Sequence, residues 1–117
     1  MDIRNQVQEI DAMLSQGDIV NAVKNFFADN VTTSDYGNVA TTNKAQMVEK
    51  MEGFAGAIAK VNKINKISSV VDGNISASEF DIHFDMKDGS EILWHEIIKR
   101  TWNDQGQVVR EEYFNAQ

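Results

Sequence analysis

A chain of 117 residues, 42% hydrophobic and 25% charged, is long enough to close one core without covalent staples. It has no cysteine, which excludes disulfides and thiolate metal sites, and its formal net charge of −7 sets it against a nucleic-acid backbone. No segment comes near the ~20 consecutive apolar residues that a membrane-crossing helix needs, and the polar start MDIRNQVQEIDAM lacks the apolar stretch of a secretory signal. The expectation is therefore one cytoplasmic domain over residues 1–117, with neither membrane nor nucleic acid as a partner.

In chain order, Ile3, Val7, Ile10 and Leu14 recur at helical spacing, so residues 2–16 are predicted to be helical. Gly17 is a natural helix-ending residue, and Asp18 a natural N-cap for a second helix reaching about Ala28. VTTSD, 31–35, reads as a short strand ended by Tyr36-Gly37-Asn38, with a loop through NVATT after it. Asn43 and Gln46 have capping-box spacing before a third helix over about 44–60, with Val48, Met51, Ala55 and Ile58 as its buried stripe. Met47, Met51 and Phe54 on that helix read as core and pocket roof.

The remainder reads as sheet. KINKISSVV, 63–71, precedes a hairpin signal at Asp72-Gly73. In ISASEFDIHFDM, 75–86, Phe80, Ile82, Phe84 and Met86 point one way, and Glu79, Asp81, His83 and Asp85 the other. After Asp88-Gly89 comes a strand over 90–102, then a turn at Asn103–Gly106 and a last strand over 107–116. The one basic run, KVNKINK (60–66), fits a solvated strand edge, which lysines protect against further pairing. His83 and His95 match no metal-ligand spacing. No Gly-rich phosphate loop or nucleophile elbow is present, so neither metal nor cofactor is expected.

Two helices, a short strand, a helix and an antiparallel meander make an α+β chain. IDAMLSQGDIVNAVKNFFADNVTTSDYG (10–37) carries a Gly-Asp-Ile turn, an aromatic helix end and an Asp after Ala-Asp-Asn-Val; RTWNDQGQVVREEYF (100–114) closes the chain as a hairpin. These stretches resemble the nuclear transport factor two-like superfamily, in its SnoaL-like and ketosteroid-isomerase-like branch, over essentially the whole chain. The resemblance implies a cone-shaped α+β barrel of cystatin-like form, with three N-terminal helices packed on a curved antiparallel sheet around a cavity. It also implies a homodimer formed through the convex back of the sheet.

Carried over residue by residue, the resemblance puts Asp35 at the general-base position of ketosteroid isomerases. The two oxyanion donors of those enzymes fall on Ile10 and Ile98, which cannot donate, so classical steroid isomerisation is not expected. The same alignment turns Trp94, Glu96, Ile98 and Arg100 into the cavity, together with Val109, Glu111, Tyr113 and Asn115. A four-residue turn at 103–106 would set Trp102 opposite Gln107, Ile98 opposite Glu111 and Glu96 opposite Tyr113, with Arg100 diagonal to Glu111. A bulge at Gly106 would instead bring Glu112 inward.

This strand therefore holds a carboxylate and a guanidinium between two tryptophans because its inner face lines a ligand cavity. Unpaired charges in a dry core would cost several kcal/mol each. The candidate site comprises Asp35 and Glu111 as acid–base residues, with Trp94, Glu96, Arg100, Tyr113 and Asn115 as ligand contacts. Glu96 and Glu111 could also act together as an acid–base pair, one carboxyl raised by burial and by its neighbour's charge; the other reading is an Arg100–Glu111 ion pair of purely structural value, with Glu96 hydrogen-bonded to Tyr113. The functional expectation is a cofactor-independent enzyme that isomerises, cyclises, dehydrates or hydrates a small organic molecule. The alternative is a non-catalytic dimeric module that binds a ligand or a protein.

Overall fold

The computed structural model describes residues 2–116. Three helices, α1 (Arg4–Ser15), α2 (Ile19–Phe26) and α3 (Lys44–Ala57), pack on a six-stranded sheet. Its strands are β1 (Phe27–Asp35), β2 (Asn38–Thr41), β3 (Ile58–Asp72), β4 (Ile75–Met86), β5 (Glu91–Trp102) and β6 (Val108–Asn115), in the spatial order β2-β1-β6-β5-β4-β3. The α+β class and the antiparallel meander β3–β6 agree with the sequence reading. The sheet as a whole is mixed, because β1 runs parallel to β6, and β2 and β3 remain as open edges, so the barrel is not closed.

Local chemistry explains the boundaries. Gly17 ends α1 at a φ of +81°, a conformation that costs glycine little. Asp18 takes the N-cap position of α2, but its carboxylate accepts from the Asn21 side chain (3.4 Å) and not from a backbone N–H. Asn43 does cap α3, accepting from Gln46 N at 2.9 Å, while the Gln46 side chain reaches back to Thr42 N at 2.8 Å.

Three expectations are corrected here. NVATT is not a loop: Tyr36 (φ +53°) and Gly37 (φ +88°) turn the chain tightly, and β2 folds back on β1, with Thr33 and Thr41 joined through their hydroxyls at 2.6 Å. The third helix stops at Ala57, not near residue 60. Ile58 is already extended and opens β3, so it reaches the core from a strand while Met47 provides the fully buried contact of α3. The β5–β6 ladder also differs. The turn takes five residues, and Val109 is an extra residue on β6 between the Trp102–Val108 and Thr101–Arg110 pairs. Each of these changes moves the register by one residue, and two such moves restore the original facing. Arg100 therefore stands opposite Glu111, Ile98 opposite Tyr113 and Glu96 opposite Asn115. Glu111 stays inward, and buried Val108 takes the core place expected for Val109.

The core has two centres. One joins α1, α2 and β1 through Ile3, Val7, Ile10, Val23 and Phe27 to Met47, Trp102 and Val108. The other is Phe80, Ile82, Phe84 and Ile98 on the inner face of β4 and β5. Phe54 stacks on Trp94 (5.7 Å between centroids) and meets Phe84 edge-on. The lysines of the 60–66 run lie on edge strand β3, as their chemistry suggests.

Candidate functional site

Between the two core centres lies a cavity of about 320 Å³, at the lower end of ordinary ligand sites. The helices supply Ile10, Leu14, Ile19, Val23, Met51 and Phe54; the sheet supplies Phe27, Ile64, Phe80, Ile82, Phe84, Trp94 and Ile98. Against this apolar wall stand Asp35, Tyr36, Lys50, Glu96, Arg100, Glu111 and Tyr113. Of the seven candidate residues from the sequence, the fold brings six to this cavity: Asp35, Trp94, Glu96, Arg100, Glu111 and Tyr113. Asn115 is the exception. It is exposed near the end of β6 and lies outside the lining.

Ile10 and Ile98 line the cavity as buried apolar residues, so neither offers a donor there. The donors come from elsewhere. Tyr36, half exposed in the left-handed turn after β1, lines the cavity and donates to Glu96 Oε2 across a long 3.5 Å. Lys50 Nζ pairs with Asp35 Oδ2 at 2.6 Å and sits 6.0 Å from the Tyr113 ring centroid.

Along one wall of the cavity the charges form a network that leaves one buried nitrogen, Arg100 Nη2, without a hydrogen-bond partner. Arg100 is wholly buried; its Nε donates to Glu111 Oε2 at 3.0 Å and its Nη1 to Asp11 Oδ1 at 2.8 Å. Asp11 also accepts from Ser78 at 2.6 Å and pairs with Lys66 at 3.0 Å. The other oxygen of Glu111 accepts from the Tyr113 hydroxyl. Burial acts to strip the proton from Arg100, but Glu111 and Asp11 more than offset it and raise its pKa. Burial first and the adjacent Glu111 second hold the Tyr113 phenol well above its usual range. Arg100 and Glu111 thus form an ion pair, and Tyr113 bonds Glu111, not Glu96.

Glu96 is different. Only 5% of it is exposed, and no cation pairs with it among the described residues. Burial, and then repulsion from Glu111, lift its carboxyl to about 7, with the Tyr36 hydrogen bond pulling weakly the other way. It is the group in the cavity placed to gain and lose a proton near neutrality.

Lys50, Tyr36 and Asp11 are site residues that the sequence reading passed over. Lys50 had a signal: it interrupts the apolar series Met47, Met51, Phe54 on one helix face. Asp11 had one too, lying between Val7 and Leu14 on the buried stripe of α1. Tyr36 read only as a turn residue. His95 pairs on the outer face with Glu79 at 2.5 Å, and His83 lies by Asp85 and Glu91 on that same face, so neither histidine enters the cavity.

This architecture has close counterparts among solved structures. A candidate SnoaL-like polyketide cyclase from Mesorhizobium loti superposes with a TM-score of 0.83 at 19% identity, over 97% of this chain and 99% of that one. The fold is the SnoaL-like one. An NTF2-like protein of unknown function from Burkholderia pseudomallei gives a TM-score of 0.78 at 15% identity, over 98% and 92% of the two chains. A Catenulispora acidiphila protein with a ketosteroid isomerase-like fold, in complex with trimethylamine, gives 0.75 at 15% identity, over 92% and 82%. No family model matches the sequence, and no curated protein does. At such identities the SnoaL-like likeness is one of architecture, and the chemistry has to be argued from this chain's own residues.

Proposed function

We propose that the chain binds a small, largely apolar organic molecule in its cavity and moves a proton on it, with Glu96 as the acid–base group. The observation that carries this reading is Glu96 itself: a buried carboxyl with no cation partner, held near neutrality at the wall of an apolar cavity. Such a group delivers both protonation states at working pH, the condition for efficient general acid–base catalysis. The earlier candidates fit less well. Glu111 spends one oxygen on Arg100 and the other on Tyr113, and Asp35 is tied to Lys50.

The step is an isomerisation by proton shift. Glu96 carboxylate removes a proton from a carbon next to a carbonyl; the electron pair moves to the carbonyl oxygen; protonated Glu96 returns the proton to a second carbon. The Tyr36 hydroxyl and the Lys50 ammonium at the mouth are the groups available to stabilise the oxyanion. Arg100 positions Glu111, whose charge keeps the Glu96 carboxyl high. The crystallised complex of the Catenulispora neighbour, which holds a small molecule in the same architecture, lends support. A homodimer through the outer face belongs to this reading, because Val70, Leu93 and Phe114 are exposed apolar residues on that face; sedimentation at micromolar concentration tests it.

The test of function is deuterium exchange into a panel of small cyclic ketones, neutral and amine-bearing, followed by proton NMR. Wild-type protein is expected to accelerate exchange with a midpoint near pH 7, and Glu96→Gln to remove the acceleration. Ligands that bind without exchange would leave a binding module, the alternative function. Equal exchange in wild type and Glu96→Gln would rule out Glu96 as the base.

A further inference from the structure

We propose that the occupant of the cavity is a hydrophobic ammonium compound, a protonated or quaternary amine, with Glu96 as its counter-ion and aromatic rings as its cage. The inference rests on the binding reading above and names the ligand class.

The argument begins with charge. Among the described residues, the cavity and the network behind it hold four carboxylates: Asp11, Asp35, Glu96 and Glu111. They hold three cations: Lys50, Lys66 and Arg100. Lys50 is matched to Asp35, and Arg100 and Lys66 to Asp11 and Glu111. Glu96 is the carboxylate left over, and it faces the open space. A buried carboxylate needs a proton or a cation beside it. Without a ligand, a proton fills that need; an ammonium group in the cavity would displace the proton and fill it instead.

The rings point the same way. Trp94, Tyr113, Tyr36 and Phe54 present aromatic surface to the same cavity, and the faces of such rings attract cations. Lys50 already lies over the Tyr113 ring, so this environment accepts positive charge. An anionic ligand meets the opposite conditions. Arg100 reaches the cavity wall, but its Nε and Nη1 are committed to two carboxylates and only Nη2 is without a partner, and an anion there would be set against Glu96 and Glu111. A cation beside Glu96 also keeps it in the carboxylate form that a base requires, so the ligand class and the proposed chemistry agree.

Every charged or titratable group facing Glu96 enters the pH argument: Asp35 and Tyr36 from β1 and its turn, Lys50 from α3, Arg100 from its own strand, and Glu111 and Tyr113 from β6. Raising the pH through about 7 frees Glu96 of its proton, so affinity for a permanent cation should rise over that window while affinity for a neutral molecule should not.

The experiment titrates the protein with benzyltrimethylammonium, its neutral isostere neopentylbenzene and the anion phenylacetate, by calorimetry, between pH 5.5 and 8.5. At pH 8 the cation should bind at least tenfold more tightly than the isostere, with phenylacetate weakest. The advantage should shrink toward pH 5.5, and Glu96→Gln should level the cation with the isostere. An isostere that binds as well as the cation at pH 8, or a cation preference that survives in Glu96→Gln, would overturn the ammonium assignment and leave the cavity reading standing. Binding of none of the three would remove both.

Discussion

Arg100 and Glu111 face each other across the β5–β6 ladder and meet at 3.0 Å, Nε to Oε2, with neither side chain open to solvent. Asp11, from a helix at the other end of the chain, closes the same guanidinium from a second side. Removing the cation would leave buried Glu111 with no cation and buried Asp11 with Lys66 alone. Arg100→Met should therefore lose about 3–5 kcal/mol of stability in urea denaturation. Adding Asp11→Asn and Glu111→Gln to it should recover much of that loss. A single Arg100→Met that unfolds at the wild-type midpoint would show that the network contributes nothing to the fold.

Glu96 predicts a pH dependence of the opposite sense to most carboxylates. Its folded value of about 7 lies above its ordinary 4.5, so the folded state holds a proton that the unfolded state has already released. The Glu96 contribution is therefore at its best below about 4.5, falls as pH rises and reaches its full cost above about 7. Glu96→Gln should gain roughly 3 kcal/mol over wild type at pH 8 and little at pH 4.5. Chemical denaturation of both proteins at the two pH values measures the difference, and an unchanged gap would refute the buried-carboxyl assignment.

The contrast between β4 and the β5–β6 hairpin explains what could be read ahead of the structure. Strict alternation over Ile75–Met86 has one solution, because a one-residue slip would turn Phe80, Ile82 and Phe84 out to water. The hairpin had no such protection. Its turn could close over four residues or five, and Val108 and Val109 are equally good core residues, so the bulge left no mark in the pattern. The resemblance put Glu111 inward, and that facing holds in the structure because two one-residue changes cancel. The inward charges of β5 were legible only through the family resemblance, because alternation alone leaves both faces of that strand mixed. Their partners were not: Arg100 meets Asp11 across 89 positions in sequence, a closure that only the packing of α1 on the sheet creates. Which carboxyl would titrate near neutrality depended on which one was left without a cation, and that too is a property of the assembled network.

The two tryptophans should report separately. Trp94 lines the cavity and stacks on Phe54, whereas Trp102 is in the other core centre, with its Nε1 donating to Ser76 at 3.0 Å and its ring edge-on to Phe26. A cavity ligand should change the emission of Trp94 and leave that of Trp102 nearly constant. In Trp94→Phe the binding-induced change should largely vanish, while Trp102→Phe should keep it and lose about 1–2 kcal/mol of stability from the lost hydrogen bond and packing. A full signal in Trp94→Phe would place the ligand elsewhere.

Glu96 and Glu111 can finally be told apart by carboxyl-carbon NMR, since their environments assign them opposite roles. The Glu96 resonance should titrate with a midpoint near 7, as burial and the neighbouring Glu111 demand. Glu111→Gln removes the second of those causes and keeps the first. The Glu96 midpoint should therefore move down without reaching its ordinary value of 4.5. The same substitution leaves Arg100 one carboxylate short, so the protein should lose about 1–3 kcal/mol even though the cavity remains. If the Glu96 midpoint in Glu111→Gln stayed where it is in wild type, repulsion between the two carboxyls would have no part in tuning the site, and burial alone would account for it.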